Sequence, residues 1–499
     1  MMKPVLLIIA IFFKTILLSQ QLVLPGDYPD PSVVKIGDTY WASATTSNWA
    51  PVYPLLQSKD LLHWTTTGHI FKTLPGWADY YFWAPEITYD NGKVYVYYAA
   101  HKKGGNLCVA VASADKPEGP YIDHGPLICE AAGSIDAFPM RDENGKLYII
   151  WKEDANSVVK PTPIWAMEMN EARTAVTGTR TELFRNDTAS WEKNLVEGVS
   201  MIKNNDYYYA IYAGAGCCGK ACTYGVGIAR SKSLLGPWEK YSKNPVLTGN
   251  DKWSCPGHGT MVEKDGRHFF MYHAYDKKSN VYTGREGLLI EYVFTDDGWI
   301  NFRQDSIVKD TISITPDIAD EFEADSLSLN WQWSVFQKPV YSVDDGALML
   351  QGSPDGSGSF LGQKTLTGNY VVNTTVNTVA SSAAAGLAAI GDENNILYAS
   401  YKNGQVSVIQ NKNGTDTTIA SRNIPKQETI YLRMQVANGK DIRFFYSVNG
   451  KVFTSLHANN IDGSFLPPWD RAVRAGIISK GEPNSRAVFE RFEMVFNPK

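Results

Sequence analysis

From residue 26 to about residue 300 the chain is built of short apolar runs separated by polar turns, and one two-run phrase recurs five times. The phrases are Asp30-Pro-Ser-Val-Val-Lys-Ile-Gly-Asp-Thr-Tyr-Trp, Ala84-Pro-Glu-Ile-Thr-Tyr-Asp-Asn-Gly-Lys-Val-Tyr-Val-Tyr-Tyr and Asp136-Ala-Phe-Pro-Met-Arg-Asp-Glu-Asn-Gly-Lys-Leu-Tyr-Ile-Ile-Trp. They continue as Glu197-Gly-Val-Ser-Met-Ile-Lys-Asn-Asn-Asp-Tyr-Tyr-Tyr-Ala-Ile-Tyr and Gly257-His-Gly-Thr-Met-Val-Glu-Lys-Asp-Gly-Arg-His-Phe-Phe-Met-Tyr. Each joins an apolar run to an aromatic-rich one across a Gly, Asn or Asp turn, which predicts a β-hairpin. A second element, Ser58-Lys-Asp-Leu-Leu-His-Trp64, Ser113-Ala-Asp-Lys-Pro-Glu-Gly-Pro-Tyr121 and Ser231-Lys-Ser-Leu-Leu-Gly-Pro-Trp238, follows the first, second and fourth hairpins and predicts an outer strand. A repeat of roughly 50–60 residues made only of strand and turn predicts propeller blades. No segment here keeps a 3.6-residue apolar spacing, so few or no helices are expected.

Around 305–316 this pattern stops. Alternating runs follow, among them Ala347-Leu-Met-Leu-Gln, Tyr370-Val-Val-Asn-Thr-Thr-Val, Ile396-Leu-Tyr-Ala-Ser-Tyr, Val406-Ser-Val-Ile-Gln, Ile430-Tyr-Leu-Arg-Met-Gln-Val and Ile442-Arg-Phe-Phe-Tyr-Ser-Val, with turns such as Asn403-Gly and Asn449-Gly. Evenly spaced short strands predict a β-sandwich. The expected fold is therefore all-β: a five-bladed β-propeller over 21–310, then a jelly-roll-like β-sandwich over 316–499. Trp331 and Trp333 open the sandwich as a candidate sugar platform, although alternate residues of a strand face opposite sides and at least one should be core.

Equivalent positions on the inner strands of a propeller face one axis, so Asp30, Asp136 and Glu197 are expected to meet. Glycosidic bond cleavage needs a protonated acid at the leaving oxygen and a carboxylate opposite it. A third carboxylate beside the acid raises its pKa by like-charge repulsion. Singly, an Asp before Pro is an ordinary turn residue; the shared repeat position is what marks these three.

Composition narrows the picture. Net charge is −5, from 47 basic and 52 acidic residues without long blocks, which argues against a nucleic-acid partner. Aromatics make up 12%, as suits both β cores and sugar platforms. Residues 1–20 pair Lys3 with an apolar run interrupted by Lys14, which predicts a signal peptide, export and no membrane span. Cysteines 108, 129, 217, 218, 222 and 255 contain no CxxC pair, which weighs against zinc, and in an exported chain they are free to form disulfides of undecided pairing. A vicinal Cys217–Cys218 bond would stiffen a loop near the axis; two unrelated thiols are the alternative. Sequons occur at Asn186, Asn373 and Asn413.

The series Gly26-Asp-Tyr-Pro-Asp-Pro-Ser32, Phe82-Trp-Ala-Pro-Glu86, Ser134-Ile-Asp-Ala-Phe-Pro139, Val196-Glu-Gly198 and Cys255-Pro-Gly-His-Gly259 resembles, in order, the motifs of glycoside hydrolase family 43. That resemblance implies a five-bladed propeller that hydrolyses arabinose- and xylose-containing polysaccharides with inversion. It implies Asp30 as general base (preferred over Asp27 for its two flanking prolines), Asp136 as pKa modulator and Glu197 as general acid. Arg285 matches an arginine that binds sugar hydroxyls, with a surface ion pair as the alternative. His258 matches an axial histidine beside a calcium ion held largely through waters, or beside a water in its place; a histidine bonded to the carboxylates without metal is the alternative. Trp83 is expected as a pocket wall, against the commoner role of a blade-packing tryptophan, and Glu86 as a supporting residue. No cofactor is expected for the chemistry itself.

The function so implied is a secreted or periplasmic exo-glycosidase removing α-L-arabinofuranosyl residues from plant polysaccharide or oligosaccharide. A β-D-xylosidase, an endo-arabinanase and a galactofuranosidase are the alternatives within the family, and a non-catalytic sugar-binding propeller is the alternative outside it.

Overall fold

The computed structural model describes residues 20–304 and 317–498. The expected signal peptide falls almost wholly outside the described residues, as does the 305–316 changeover.

All five hairpins form: Ser32–Ile36 with Thr39–Ser43, Trp83–Asp90 with Lys93–His101, Ser134–Arg141 with Leu147–Glu153, Val196–Asn204 with Tyr207–Gly214, and Trp253–Lys264 with Arg267–Asp276. Each opens its own antiparallel sheet, giving the five blades of a propeller. The fifth blade takes Gln21–Leu24 from the other end of the domain, paired with Glu286–Phe294, so the ring is closed by hydrogen bonds. Among the described residues the helical segments are two short 3-10 turns, Ala155–Val158 and Asn280–Tyr282.

The aromatic-rich second runs are explained by burial on both faces. Along Lys93–His101, Val94, Val96 and Tyr98 pack toward the first blade, while Tyr95 and Tyr97 pack toward the third. Tyr208, Ala210 and Tyr212 face the third blade, and Tyr209 and Ile211 face the fifth. Strand periodicity of two sends alternate side chains to opposite sides, so a strand flanked by two blades needs apolar residues throughout. Apolar clusters of this kind fill every junction between neighbouring blades.

The C-terminal domain is a sandwich of a nine-stranded and a six-stranded antiparallel sheet around one core. All six strand runs read from its sequence form strands. The six-stranded sheet is buried on its outer face too, where Ala388, Ile390, Ile396 and Tyr398 pack against Trp49 of the propeller. The sandwich is thus fastened to the propeller. Trp331 and Trp333 correct the platform expectation. Trp331 is buried, its indole N–H donating to Asp320 Oδ2 at 2.8 Å. Trp333 pairs with Ala50 in a two-stranded sheet bridging the domains and packs against apolar clusters of both.

Candidate active site

The inner strands of the last four blades break their ladders at the axial end, with bulges between Trp83 and Glu86, Ile135 and Phe138, Glu197 and Ser200, and Ser254 and Gly257. One residue per blade there has positive φ: Asp30 (51°), Ala84 (42°), Asp136 (57°), Gly198 (62°) and Cys255 (59°). A bulge bends the strand and re-aims its side chains, and Asp is among the few non-glycine residues that tolerate this conformation. The recurring backbone feature corrects the register of the repeat. Asp30 and Asp136 occupy the same left-handed position, but in the fourth blade that position belongs to Gly198, and Glu197 precedes it by one, like Trp83 in the second. A Cβ on Gly198 would lie 2.7 Å from His258 Cγ, so glycine is what lets the His258 ring rest against the fourth inner strand.

Asp30, Asp136, Glu197, Trp83, His258 and Arg285 all line one cavity of about 410 Å³. The inner strands of neighbouring blades pack side by side around it.

Asp30 is buried and held by donors. Thr45 Oγ1 donates to Oδ2 at 2.7 Å, and Arg285 Nη1 lies 3.3 Å from Oδ1. The Asp30 N–H donates to His273 Nδ1 at 3.0 Å. Burial lowers the His273 pKa to about 4, so the ring is neutral near pH 7 and Nδ1 is free to accept. Burial of Asp30 itself opposes ionisation, but the Arg285 guanidinium beside it outweighs that cost and holds the carboxyl far below the usual range.

Glu197 has the opposite character. Burial and the neighbouring Asp136 raise its pKa, against the pull of Lys152, to about 7. Lys152 Nζ donates to Glu197 Oε2 and, at 2.8 Å, to Asp154 Oδ1. Asp136 is also raised, first by burial and then by Asp30, against His258 and Lys152. It accepts the Gly198 N–H on Oδ2 at 2.9 Å, a bond that ties Asp136 to the residue next to Glu197.

His258 places Nδ1 3.6 Å from Asp30 Oδ1 and 3.9 Å from Asp136 Oδ1. Among the described residues no three His, Cys, Asp or Glu side chains form a metal-holding group. A calcium ion beside His258 would therefore draw most of its ligands from other oxygens, such as waters.

The sandwich completes the site. Trp469 and Asp470 line the cavity, 440 positions from Asp30 in the chain. Trp469 meets the Trp83 ring edge-on at 5.7 Å, and Trp83 stacks on Tyr81 at 4.4 Å. The Trp83 indole N–H donates to Ser47 Oγ at 3.1 Å, and that hydroxyl donates to Asp470 Oδ2. Arg285 Nη2 donates to the Asp470 carbonyl at 3.0 Å, while its buried Nε has no hydrogen-bond partner among the described residues. Arg285 is an axial residue rather than a surface ion pair.

Asp27, the rival of Asp30 in sequence, serves the domain junction: its Oδ2 accepts from Arg474 Nη1 and Nη2 at 3.2 Å each and from the Ala472 N–H at 3.1 Å. Glu86 is buried beneath the site and accepts from Thr260 Oγ1 at 2.9 Å. Burial, only partly offset by that bond, raises its pKa to about 8. The three disulfides are Cys108–Cys129, Cys217–Cys218 and Cys222–Cys255; the vicinal pair forms a lip of the cavity. Sequence reasoning missed Lys152, His273, Trp469 and Asp470. Lys152 and His273 carry a signal in hindsight, as single polar residues in the apolar runs Tyr148-Ile-Ile-Trp-Lys152 and Phe269-Phe-Met-Tyr-His273. The other two sit in a loop that nothing local marks.

Comparison with known proteins places the chain in a family. The family model described as Glycosyl hydrolases family 43 matches residues 19–300, and that of the Beta xylosidase C-terminal Concanavalin A-like domain matches 319–470. The chain is 26% identical over 455 residues to the non-reducing end alpha-L-arabinofuranosidase BoGH43B of Bacteroides ovatus, covering 81% of this chain and 80% of that one. It is 29% identical over 272 residues to a xylan 1,3-beta-xylosidase of a Vibrio species, covering 51% of this chain and about half, 49%, of that relative. The crystal structure of the GH43 protein BlXynB from Bacillus licheniformis superposes with a TM-score of 0.81 at 24% identity, over 95% of this chain and 99% of the other, a likeness of fold. With the first family model spanning more than half of its length, the chain belongs to glycosyl hydrolase family 43.

Proposed function

We propose that this glycoside hydrolase is an exported, inverting, exo-acting α-L-arabinofuranosidase that trims side chains of plant polysaccharides, with Asp30 as general base, Glu197 as general acid and Asp136 as modulator. The observation that carries the reading is the split in ionisation around one cavity. Asp30 stays charged under Arg285, whereas Glu197 keeps its proton up to about pH 7. Carboxyls with separated pKa values at one site define an acid and a base. Asp30 takes a proton from water as its oxygen bonds to the anomeric carbon. Glu197 gives its proton to the leaving oxygen as the glycosidic bond breaks, and the anomer inverts. Asp136 acts by charge, keeping Glu197 protonated. Arg285, which lines the cavity, is a donor for a sugar hydroxyl, and Trp83 with Trp469 supplies apolar walls. Export is read from the N-terminal apolar run and is consistent with the disulfides.

Arabinofuranose is favoured by the Bacteroides ovatus relative, which aligns with 81% of this chain. A β-D-xylosidase is the second reading, favoured by the C-terminal family match and the Vibrio relative. The test is hydrolysis of aryl α-L-arabinofuranoside against aryl β-D-xyloside, with the first-formed anomer read by NMR. Glu197→Gln should lose about 10²–10⁴-fold in kcat on substrates with poor leaving groups. A retained anomer would contradict the assignment of Asp30 as base, and no cleavage of either glycoside would overturn the substrate reading.

A further inference from the structure

We propose that an aromatic ridge leading out of the cavity binds the neutral main chain of a branched polysaccharide, so that the pocket receives a side-chain sugar while the ridge holds the polymer. The occupant is argued from the glycosidase reading above; the ridge itself rests on separate geometry. It starts at Trp469 and Trp83 in the cavity and passes to Tyr81, which stacks on Trp83 at 4.4 Å. Tyr81 meets Tyr80 edge-on at 4.8 Å, and Tyr80 meets Phe336 at 5.8 Å. Tyr80 and Phe336 lie outside the cavity lining, so the aromatic surface extends beyond the space for one sugar ring.

Both domains build this ridge, and both parts are fixed. Asn48 accepts the Tyr81 N–H on its side-chain oxygen at 3.0 Å and the Val335 N–H on its carbonyl at 2.9 Å, holding the propeller and sandwich segments together. Tyr80 is backed by His101, stacked at 4.1 Å, whose Nδ1 pairs with Asp79 at 2.8 Å. Phe336 is 50% exposed and Trp469 53% exposed, side chains that elsewhere would be core. Aromatic faces offer apolar contact to the C–H faces of sugar rings, while tyrosine hydroxyls offer hydrogen bonds at the edge. The five rings carry no charge, which suits a neutral polymer rather than a uronate chain. Their continuity with the cavity aligns the polymer with the site.

The experiment uses the full chain, wild type and the double variant Tyr80→Ala/Phe336→Ala, with Tyr80→Phe as the conservative control. Affinity electrophoresis in gels containing arabinoxylan, xyloglucan or polygalacturonate reads binding independently of turnover. Expected are retardation of the wild type by a neutral polymer, weakening of about tenfold in the double variant, and retention in Tyr80→Phe. Kinetics should show KM for the polymer rising by a similar factor while kcat/KM on an aryl glycoside stays within about twofold. Equal losses on polymer and aryl glycoside would overturn the proposal, as would an unretarded wild type or retardation by polygalacturonate. Self-association abolished by the double variant would likewise overturn it, in favour of a second copy as occupant. A wild type that binds the polymer through these residues yet cleaves nothing would leave the ridge standing and remove the glycosidase reading.

Discussion

Lys152 and Glu197 are joined by a hydrogen bond between two buried side chains, the ammonium of one on the carboxyl oxygen of the other. Two opposing charges therefore act on one carboxyl: Lys152 favours its ionised form and Asp136 its protonated form. Burial works against the charge of Lys152, but Glu197, Asp154 and Asp136 more than offset it and keep the lysine cationic.

Replacing Lys152 by Met keeps the stem and removes the cation. The Glu197 pKa should then rise by about one unit or more, since an opposite charge at contact distance is worth that much. The alkaline limb of the kcat/KM–pH profile should move upward, accompanied by lower stability because Asp154 loses its buried partner. An unmoved limb in a folded variant would show that Lys152 serves packing alone.

The unmodified protein should lose activity as pH rises through about 7, by about tenfold per unit well above it, because Glu197 must be protonated to act. The acidic side should be flat until the protein unfolds, because Asp30 stays ionised far below the usual carboxylate range. Initial rates at low substrate, over a pH series bounded by stability controls, check both limbs.

Glu86 gives a stability prediction with the opposite sign to that of a salt-bridged acid. Its pKa is raised from 4.5 to about 8, so the folded chain holds an extra proton between these values. Its contribution is fully present below pH 4.5 and is lost as pH rises through 8, at of order 1 kcal/mol per pH unit. Glu86→Gln should match the wild type near pH 5 and be the more stable protein at pH 9, as read by thermal or denaturant unfolding.

Asp27 and Arg474 form a buried pair across the domain junction, and Asp27 also accepts the N–H of the cavity-lining Arg285. Arg474→Met leaves Asp27 buried without its cation and should cost about 3–5 kcal/mol. Because the Ala472 N–H also rests on Asp27, the Asp470 segment should loosen and kcat/KM should fall with stability. The double variant Asp27→Asn/Arg474→Met should recover much of the loss, a cycle that separates the unpaired charge from the fold.

Legibility in the sequence followed the range of the physics. Hairpins such as Trp83–His101 are local, set by a turn and by apolar alternation within about 20 residues. Their inner strands brought Asp30, Asp136, Glu197, Trp83 and His258 to one cavity because a repeat position is a position in space. The one-residue offset of Glu197 escaped because a bulge changes the count without changing the composition. Trp331 and Trp333 misled for a related reason: an aromatic pair reads alike whether its partner is a sugar or, as here, Phe492 in the sandwich core and the Ala50 strand of the propeller.

By itself the sequence determined the strands, the five-fold repeat, the change to a sandwich and the three carboxylates, all carried by short-range patterns that recur. Tertiary structure alone decided the charges those carboxylates hold. Lys152 and Arg285 act through burial and distance, which no local pattern encodes. It also decided that Trp469 and Asp470 belong to a cavity begun by Asp30, because burying the outer face of the six-stranded sheet on the propeller sets that loop over the axis.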